Sequence, residues 1–237
     1  MADPLAGRSA VVTGGSSGIG LAVARRLGER GVWVIVVARG HAALERAAAE
    51  TGAIALAADV AAADAVSALP ARVVDVCGGG PDFIINAAGA FGLAPLAQTP
   101  PADFDRMIAV NLRGPFLMIR AFLPGMLERD SGHIVSVGSI AGRHAFPANG
   151  AYSASKFGLR GLHAVLDQEV RGTGVRATLV EPAATDTPLW ERIDRNANPG
   201  LPAPGTMLSA EDVAECIVFA LSRPAGVAVR NLIVERS

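Results

Sequence analysis

A tyrosine and a lysine stand four residues apart in Tyr152-Ser153-Ala154-Ser155-Lys156. On a helix that spacing puts both side chains on one face, about 6 Å apart along the axis. A free phenol titrates near 10, too high for ready proton exchange at neutral pH, whereas an adjacent ammonium stabilises the phenolate and lowers that value. The pair therefore suits general acid–base work. Ser139 lies thirteen residues before the tyrosine and offers a hydroxyl to polarise a substrate oxygen. A second constellation lies near the N-terminus, in Thr13-Gly14-Gly15-Ser16-Ser17-Gly18-Ile19-Gly20. It follows a β-like apolar run and opens a helical pattern. Glycines there permit a tight turn and let backbone N–H groups approach a pyrophosphate, and the helix N-terminus adds a favourable dipole. A tyrosine–lysine pair alone is a weak signal, since any helix can carry one. The glycine turn upstream makes it specific.

These residues need a scaffold, and the hydrophobic periodicity supplies one. Residues 9–13, 32–38, 53–57, 82–86, 133–138, 175–181 and 227–234 read as strands. Helical patterns run over about 19–30, 41–51, 62–76, 101–127, 150–171 and 209–221. Such alternation predicts a doubly wound (Rossmann-type) α/β fold, with a seven-stranded parallel sheet covered by helices on both faces. No repeat or linker divides the chain, so residues 1–237 are expected to form a single dinucleotide-binding and catalytic domain. Residues 185–208 differ from the rest. They carry Pro188, Pro199, Pro202 and Pro204 with Gly200 and Gly205, and follow a strand's C-terminal end. Long excursions of this kind are often functional, and a lid over the substrate is expected.

Composition narrows the function. Half of the residues are apolar (51%), enough for one large core, and the formal net charge is −1. No basic patch for nucleic acid stands out. The N-terminus lacks a signal pattern, and no apolar run reaches the roughly 18–20 residues that span a bilayer, which predicts a cytoplasmic protein without membrane attachment. Cys77 and Cys216 have no metal-ligand spacing and read as reduced, small apolar side chains. His41, His133 and His163 have no ligand-like neighbours, and no metal site is expected.

The T-G-x-x-x-G-x-G spacing resembles that of the short-chain dehydrogenase/reductase family. Other segments fit that family in order: Asp59-Val60 after the third strand, Asn86-Ala87-Ala88-Gly89 ending the fourth, and Asn111 in the following helix. The resemblance covers essentially the whole chain. It implies a cofactor site built from Gly14, Ser16, Ser17, Gly18, Ile19, Gly20, Asp59, Val60 and Asn86-Ala87-Ala88-Gly89, with Tyr152 and Lys156 also touching the cofactor. Tyr152 would be the general acid in reduction of a ketone or aldehyde and the base in oxidation. Lys156 would lower its pKa and bind the nicotinamide ribose, Ser139 would hold the substrate oxygen, and Asn111 would hold a water in a relay to Lys156. The implied strand order is 3-2-1-4-5-6-7.

Cofactor choice rests on the end of the second strand, Val37-Ala38-Arg39-Gly40. An acidic residue there would select NAD. Arg39 instead suits the 2′-phosphate of NADP(H). The family's other NADP signal, a basic residue just before the second glycine, is replaced by Ser17. After the sixth strand, Pro182-Ala183-Ala184-Thr185-Asp186-Thr187 departs from the family's P-G-x-V-x-T. Pro182 and Thr187 match, and Pro182, Thr185 and Thr187 are expected beside the cofactor. If the glycine's place demands positive φ, Ala183 costs about 1 kcal/mol. His144, Phe146, Asn149 and Trp190 lie where a substrate pocket would form. A 3-oxoacyl-thioester reductase is the enzymatic alternative, with Arg143, Arg192 and Arg195 as a patch for acyl carrier protein. A non-catalytic NADP(H) sensor would be expected to lose Ser139, Tyr152 or Lys156. Phe116 to Leu123 carry one charge, Arg120, and Gly158, Gly161 and Ala164 allow close helix approach. A homodimer or homotetramer is therefore expected.

Overall fold

The structure, a computed structural model, describes residues 3–191, 193–194 and 200–237. Seven parallel strands form one sheet in the order β3-β2-β1-β4-β5-β6-β7. They are β1 (Ser9–Thr13), β2 (Trp33–Ala38), β3 (Ile54–Ala57), β4 (Phe83–Asn86), β5 (Gly132–Val137), β6 (Val175–Pro182) and β7 (Asn231–Val234). The helices are α1 (Gly18–Glu29), α2 (His41–Thr51), α3 (Ala63–Ser67), α4 (Leu69–Cys77), α5 (Pro101–Ile108), α6 (Gly114–Glu128), α7 (Gly150–Glu169) and α8 (Ala210–Leu221).

Both faces of the sheet are buried, which is why its central strands are apolar almost throughout. Val12, Val36, Ile85 and Val135 pack with α1, α2 and α8 on one face. Val11, Ile35, Ile84 and Ile134 pack with α3, α4, α6 and α7 on the other. The register then fixes the site. Thr13 lies opposite Asn86, Asn86 opposite Ser136, and Val137 opposite Val180. The chain therefore leaves β1, β4, β5 and β6 along one edge, and the glycine turn, Ala87-Ala88-Gly89, Ser139 and Thr187 converge there.

The structure departs from the periodicity in three places. The expected helix over 62–76 divides after Ser67, because Pro70 has no N–H to bond the carbonyl of Val66. The expected helix over 101–127 is interrupted by a π-helical turn at Ala109–Arg113, where the Gly114 N–H reaches back five residues to Ala109. The last strand is only four residues long, since the Val227 N–H closes a turn onto Pro224. Among the described residues no helix is long and apolar enough to cross a membrane.

Candidate active site

Gly14 and Gly18 both have positive φ, +69° and +52°. A Cβ on Gly14 would lie 2.7 Å from the Ala88 backbone, and one on Gly20 would lie 2.4 Å from the Gly14 carbonyl. The turn thus lies flat against the end of β4 and against its own helix. Thr13 Oγ1 joins these pieces: it accepts from the N–H groups of Ala87 and Ala88 and donates to the Ile85 carbonyl. Ser17 caps α1 without a side-chain bond to it, so the amides of the first turn face outward uncapped.

The turn borders a cleft of about 570 Å³. Gly14, Ser16, Ser17, Gly18 and Ile19 form its floor, Arg39, Asp59 and Val60 its far end, and Ala87, Ala88, Gly89 and Thr187 its near end. Arg39 is largely exposed and lies 3.9 Å from the Asp59 carboxylate. Asn86 and Gly20 do not line the cleft. Asn86 is buried in the sheet with its amide 3.5 Å from Ser136, and Gly20 packs the helix onto the turn. Both shape the cleft from behind.

The cleft runs into a second cavity of about 590 Å³, sharing Ile19, Ala87, Gly89, Thr187 and Leu189 with it. Ser139, Tyr152 and Lys156 meet on its wall, together with Pro182 and Thr185. The Ser139 hydroxyl lies near enough to the Tyr152 phenol to act on its pKa. The Lys156 ammonium donates to the Val137 carbonyl at 2.8 Å and sits 5.6 Å from the centre of the Tyr152 ring. Burial pushes the phenol up to about 12, against a smaller downward pull from Ser139. It pushes the ammonium down to about 8. The net position of Tyr152 is therefore set by burial, and the nearby Lys156 does not bring it below its ordinary value. Both groups are desolvated, and desolvation favours the neutral form of each.

Asn111 occupies the π-helical turn, fully buried. Its side chain accepts from the Ala90 N–H at 2.7 Å and donates to the Ala90 carbonyl and to Ser155 Oγ. Both amide hydrogens are committed, so a relay through Asn111 would have to use its backbone. Pro115, four residues on, has no N–H to occupy the Asn111 carbonyl in the ordinary helical way. Ser155 bonds both Asn111 and the Tyr152 carbonyl, tying α7 to this turn.

A short chain dehydrogenase profile matches residues 8–198. The chain belongs to the short-chain dehydrogenase family. A metagenomic short-chain oxidoreductase, solved in complex with NADP, is 33% identical, covers 99% of both chains and superposes with a TM-score of 0.83. An oxidoreductase of Staphylococcus epidermidis is 31% identical over 95% of each chain. A glycine betaine reductase of Emericella nidulans is 36% identical over 98% of this chain, which spans only 19% of that larger protein's length.

Several features of this short-chain dehydrogenase were not visible in its sequence. Phe91 stands edge-on to both Tyr152 and Trp190, with ring centres 4.8 and 4.9 Å away. Ala148, on the cavity wall, has φ +60°, an uncommon conformation for a residue with a Cβ; its carbonyl accepts from the Ala94 N–H. No alanine announces such a position. Ala183, by contrast, is not among the positive-φ residues, so the missing glycine costs no strain; its N–H joins β7 through the Val234 carbonyl. Phe146, Asn149 and Trp190 line the cavity, while His144 is exposed outside it. Arg143 does not contribute to a surface patch. Its guanidinium is bound to the buried Glu181 carboxylate at 2.6 Å and to Asn231. Arg192 and Arg195, the other expected members, lie outside the described residues. No cluster of metal-ligating side chains occurs among the described residues.

The segment 185–208 begins and ends at one point. Thr185 bridges Leu208, and the Asp186 and Leu208 N–H groups bond across the gap to Leu208 and Ala184. Its described part folds over the cavity through Leu189, Trp190 and Leu201.

Proposed function

We propose that this oxidoreductase uses NADP(H) to reduce a ketone or aldehyde reversibly to an alcohol. The observation that carries the reading is the meeting of Ser139, Tyr152 and Lys156 on one wall, where the glycine-lined cleft opens into the second cavity. Gly14, Ser16, Ser17 and Gly18 would hold the pyrophosphate on the uncapped start of α1, which fits the cradle that a Cβ on Gly14 would fill. Arg39 would take the 2′-phosphate, in line with the NADP bound by the metagenomic relative. Lys156, Pro182, Thr185 and Thr187 lie toward the nicotinamide end. When bound, NADPH supplies the hydride.

The side chains do the rest. Ser139 and Tyr152 hydrogen-bond the carbonyl oxygen and polarise it. Tyr152 then delivers its proton to that oxygen as charge develops there, a step usually worth about 10²–10⁴ in rate. The phenol is protonated at neutral pH, as reduction requires, and burial pushes further in that direction. Oxidation needs the phenolate and must work against that burial. Lys156, charged below about pH 8, favours the phenolate left behind after proton transfer.

Tyr152→Phe keeps the ring against Phe91 and removes the proton. In a spectrophotometric assay of NADPH consumption with a panel of carbonyl compounds, it should lower kcat at least about a hundredfold with cofactor affinity nearly unchanged. Retention of most activity would refute the mechanism. Two further parts of the reading concern assembly and motion. Two copies pair through α6 and α7, where Phe116, Phe157 and Val165 stand exposed. Residues 185–208 act as a lid that excludes water from the hydride path.

A further inference from the structure

We propose that the substrate is an uncharged ketone with an aromatic or alicyclic group beside the carbonyl. This inference rests on the carbonyl-reducing function and names its substrate class. The 590 Å³ cavity has one polar corner, formed by Ser139, Tyr152 and Lys156. Away from it the wall is made of Phe91, Leu93, Phe146, Pro147, Trp190 and Leu201. Three of its rings form a continuous surface, because Phe91 meets Tyr152 at 80° and Trp190 at 61°, both edge-on. Trp190 turns its polar edge away: its Nε1–H donates to the Thr185 carbonyl at 3.0 Å. A flat apolar group placed beside the carbonyl would lie against these rings, with offset or edge contacts of the kind aromatic pairs favour.

Charge is handled differently. Among the described lining residues Lys156 is the only ionisable group besides Tyr152, and its ammonium is already bound to the Val137 carbonyl. The remaining polar side chains, Asn149, Thr185 and Thr187, are neutral. Thr185 is satisfied by the Ala183 carbonyl, while the Asn149 amide oxygen is buried without a partner. Such a wall can accommodate a neutral polar substituent at Asn149. Among the described residues, a carboxylate or phosphate entering away from the polar corner would lose its hydration and find no cation but Lys156. In the proposed reaction bound NADPH would supply the hydride to the carbonyl carbon and Tyr152 would give its proton to the oxygen, so that a secondary alcohol and NADP⁺ would result.

The test uses matched pairs that differ by methyl against carboxylate: acetophenone with benzoylformate, and 1-phenylethanol with mandelate. The protein has two tryptophans, and Trp33 stands exposed at the far end of β2. Trp33→Phe therefore leaves Trp190 as the sole tryptophan, whose selectively excited emission reports on the cavity. Titrating this variant with 1-phenylethanol in the presence of NADP⁺ should give a saturable change in emission, and mandelate should need at least about tenfold higher concentration. In turnover, kcat/KM for acetophenone should exceed that for benzoylformate at least about tenfold. Trp190→Ala should raise KM for acetophenone about tenfold while changing that for acetone no more than about threefold. Equal or better binding of the carboxylates, or a Trp190→Ala variant with the same effect on both ketones, would overturn the inference. If no carbonyl compound is reduced, the reading of function fails. The titration still decides the pocket: saturation by 1-phenylethanol upholds its apolar character, and no response to either ligand overturns it.

Discussion

Lowering the pH from 7.5 to 5 should destabilise this protein by about 4 kcal/mol, through two histidines in the core that supports the site. His133 lies on β5, the strand that leads to Ser139, and is fully buried. Its Nε2 bonds Thr178 Oγ1, whose own hydrogen goes to the Val229 carbonyl. The Nε2 must therefore carry the proton, and Nδ1 is left without a partner. His163, on α7, is buried with neither ring nitrogen bonded. Burial pushes His133 down to about 3, helped by the nearby Arg176 and His163, and pushes His163 down to about 4. Both are depressed below the value near 6.5 that they regain on unfolding. Below pH 6.5 the unfolded chain binds protons that the folded chain refuses, so stability is full above 6.5 and is lost as pH falls toward 4. At pH 5 each histidine contributes about 1.5 pH units at about 1.4 kcal/mol per unit, or about 2 kcal/mol. The pair therefore removes a large part of the 5–15 kcal/mol typical of a domain. The carboxylates Asp3 and Asp212 are held below their ordinary values and act only at lower pH. Urea unfolding at pH 7.5, 6 and 5, at fixed protein concentration, measures the slope. His163→Leu should roughly halve it. An unfolding free energy that stays within about 1 kcal/mol over this range, or an unchanged slope in His163→Leu, would refute the reasoning.

Arg39→Asp should move kcat/KM from NADPH toward NADH by at least about tenfold, since a charge-assisted phosphate contact becomes a repulsive one; a wild-type preference for NADH would contradict the assignment. The rate of reduction should fall about tenfold per pH unit above roughly pH 8 as Lys156 loses its charge, and a pH–rate profile flat to pH 10 would exclude Lys156 as the titrating group. Amide hydrogen exchange across residues 185–208 should slow when NADP(H) is added, with a further change on adding substrate; equal exchange in all states would leave the segment a plain surface loop.

The parallel sheet was legible because its strands are buried on both faces and so read as apolar runs between glycine and proline breaks. The glycine turn was legible because backbone geometry forces its composition, and the Tyr152–Lys156 pair because helical spacing is fixed. Local backbone events were harder to read. The breaks at Ser67 and at Asn111 each depend on a proline whose missing N–H acts four residues upstream, at Pro70 and Pro115. Contacts between distant segments were not legible at all. Arg143 read as a surface cation, but Glu181 on β6 and Asn231 on β7 bind it. The edge-on ring cluster of Phe91, Tyr152 and Trp190 joins three loops or helices with no common periodicity. The phenol's raised pKa likewise comes from burial, which the spacing of Tyr152 and Lys156 does not encode.

In the proposed reaction this chain moves a hydride between a nicotinamide and a carbonyl carbon under proton control by Tyr152. NADPH deuterated at the transferable position, incubated with acetophenone and the enzyme, tests it directly when the products are read by mass spectrometry and NMR. The expected outcome is one deuterium on the carbinol carbon of 1-phenylethanol, equimolar NADP⁺, and at least about a hundredfold less labelled product with Tyr152→Phe. Product without deuterium at that carbon, or equal labelling by Tyr152→Phe, would contradict it.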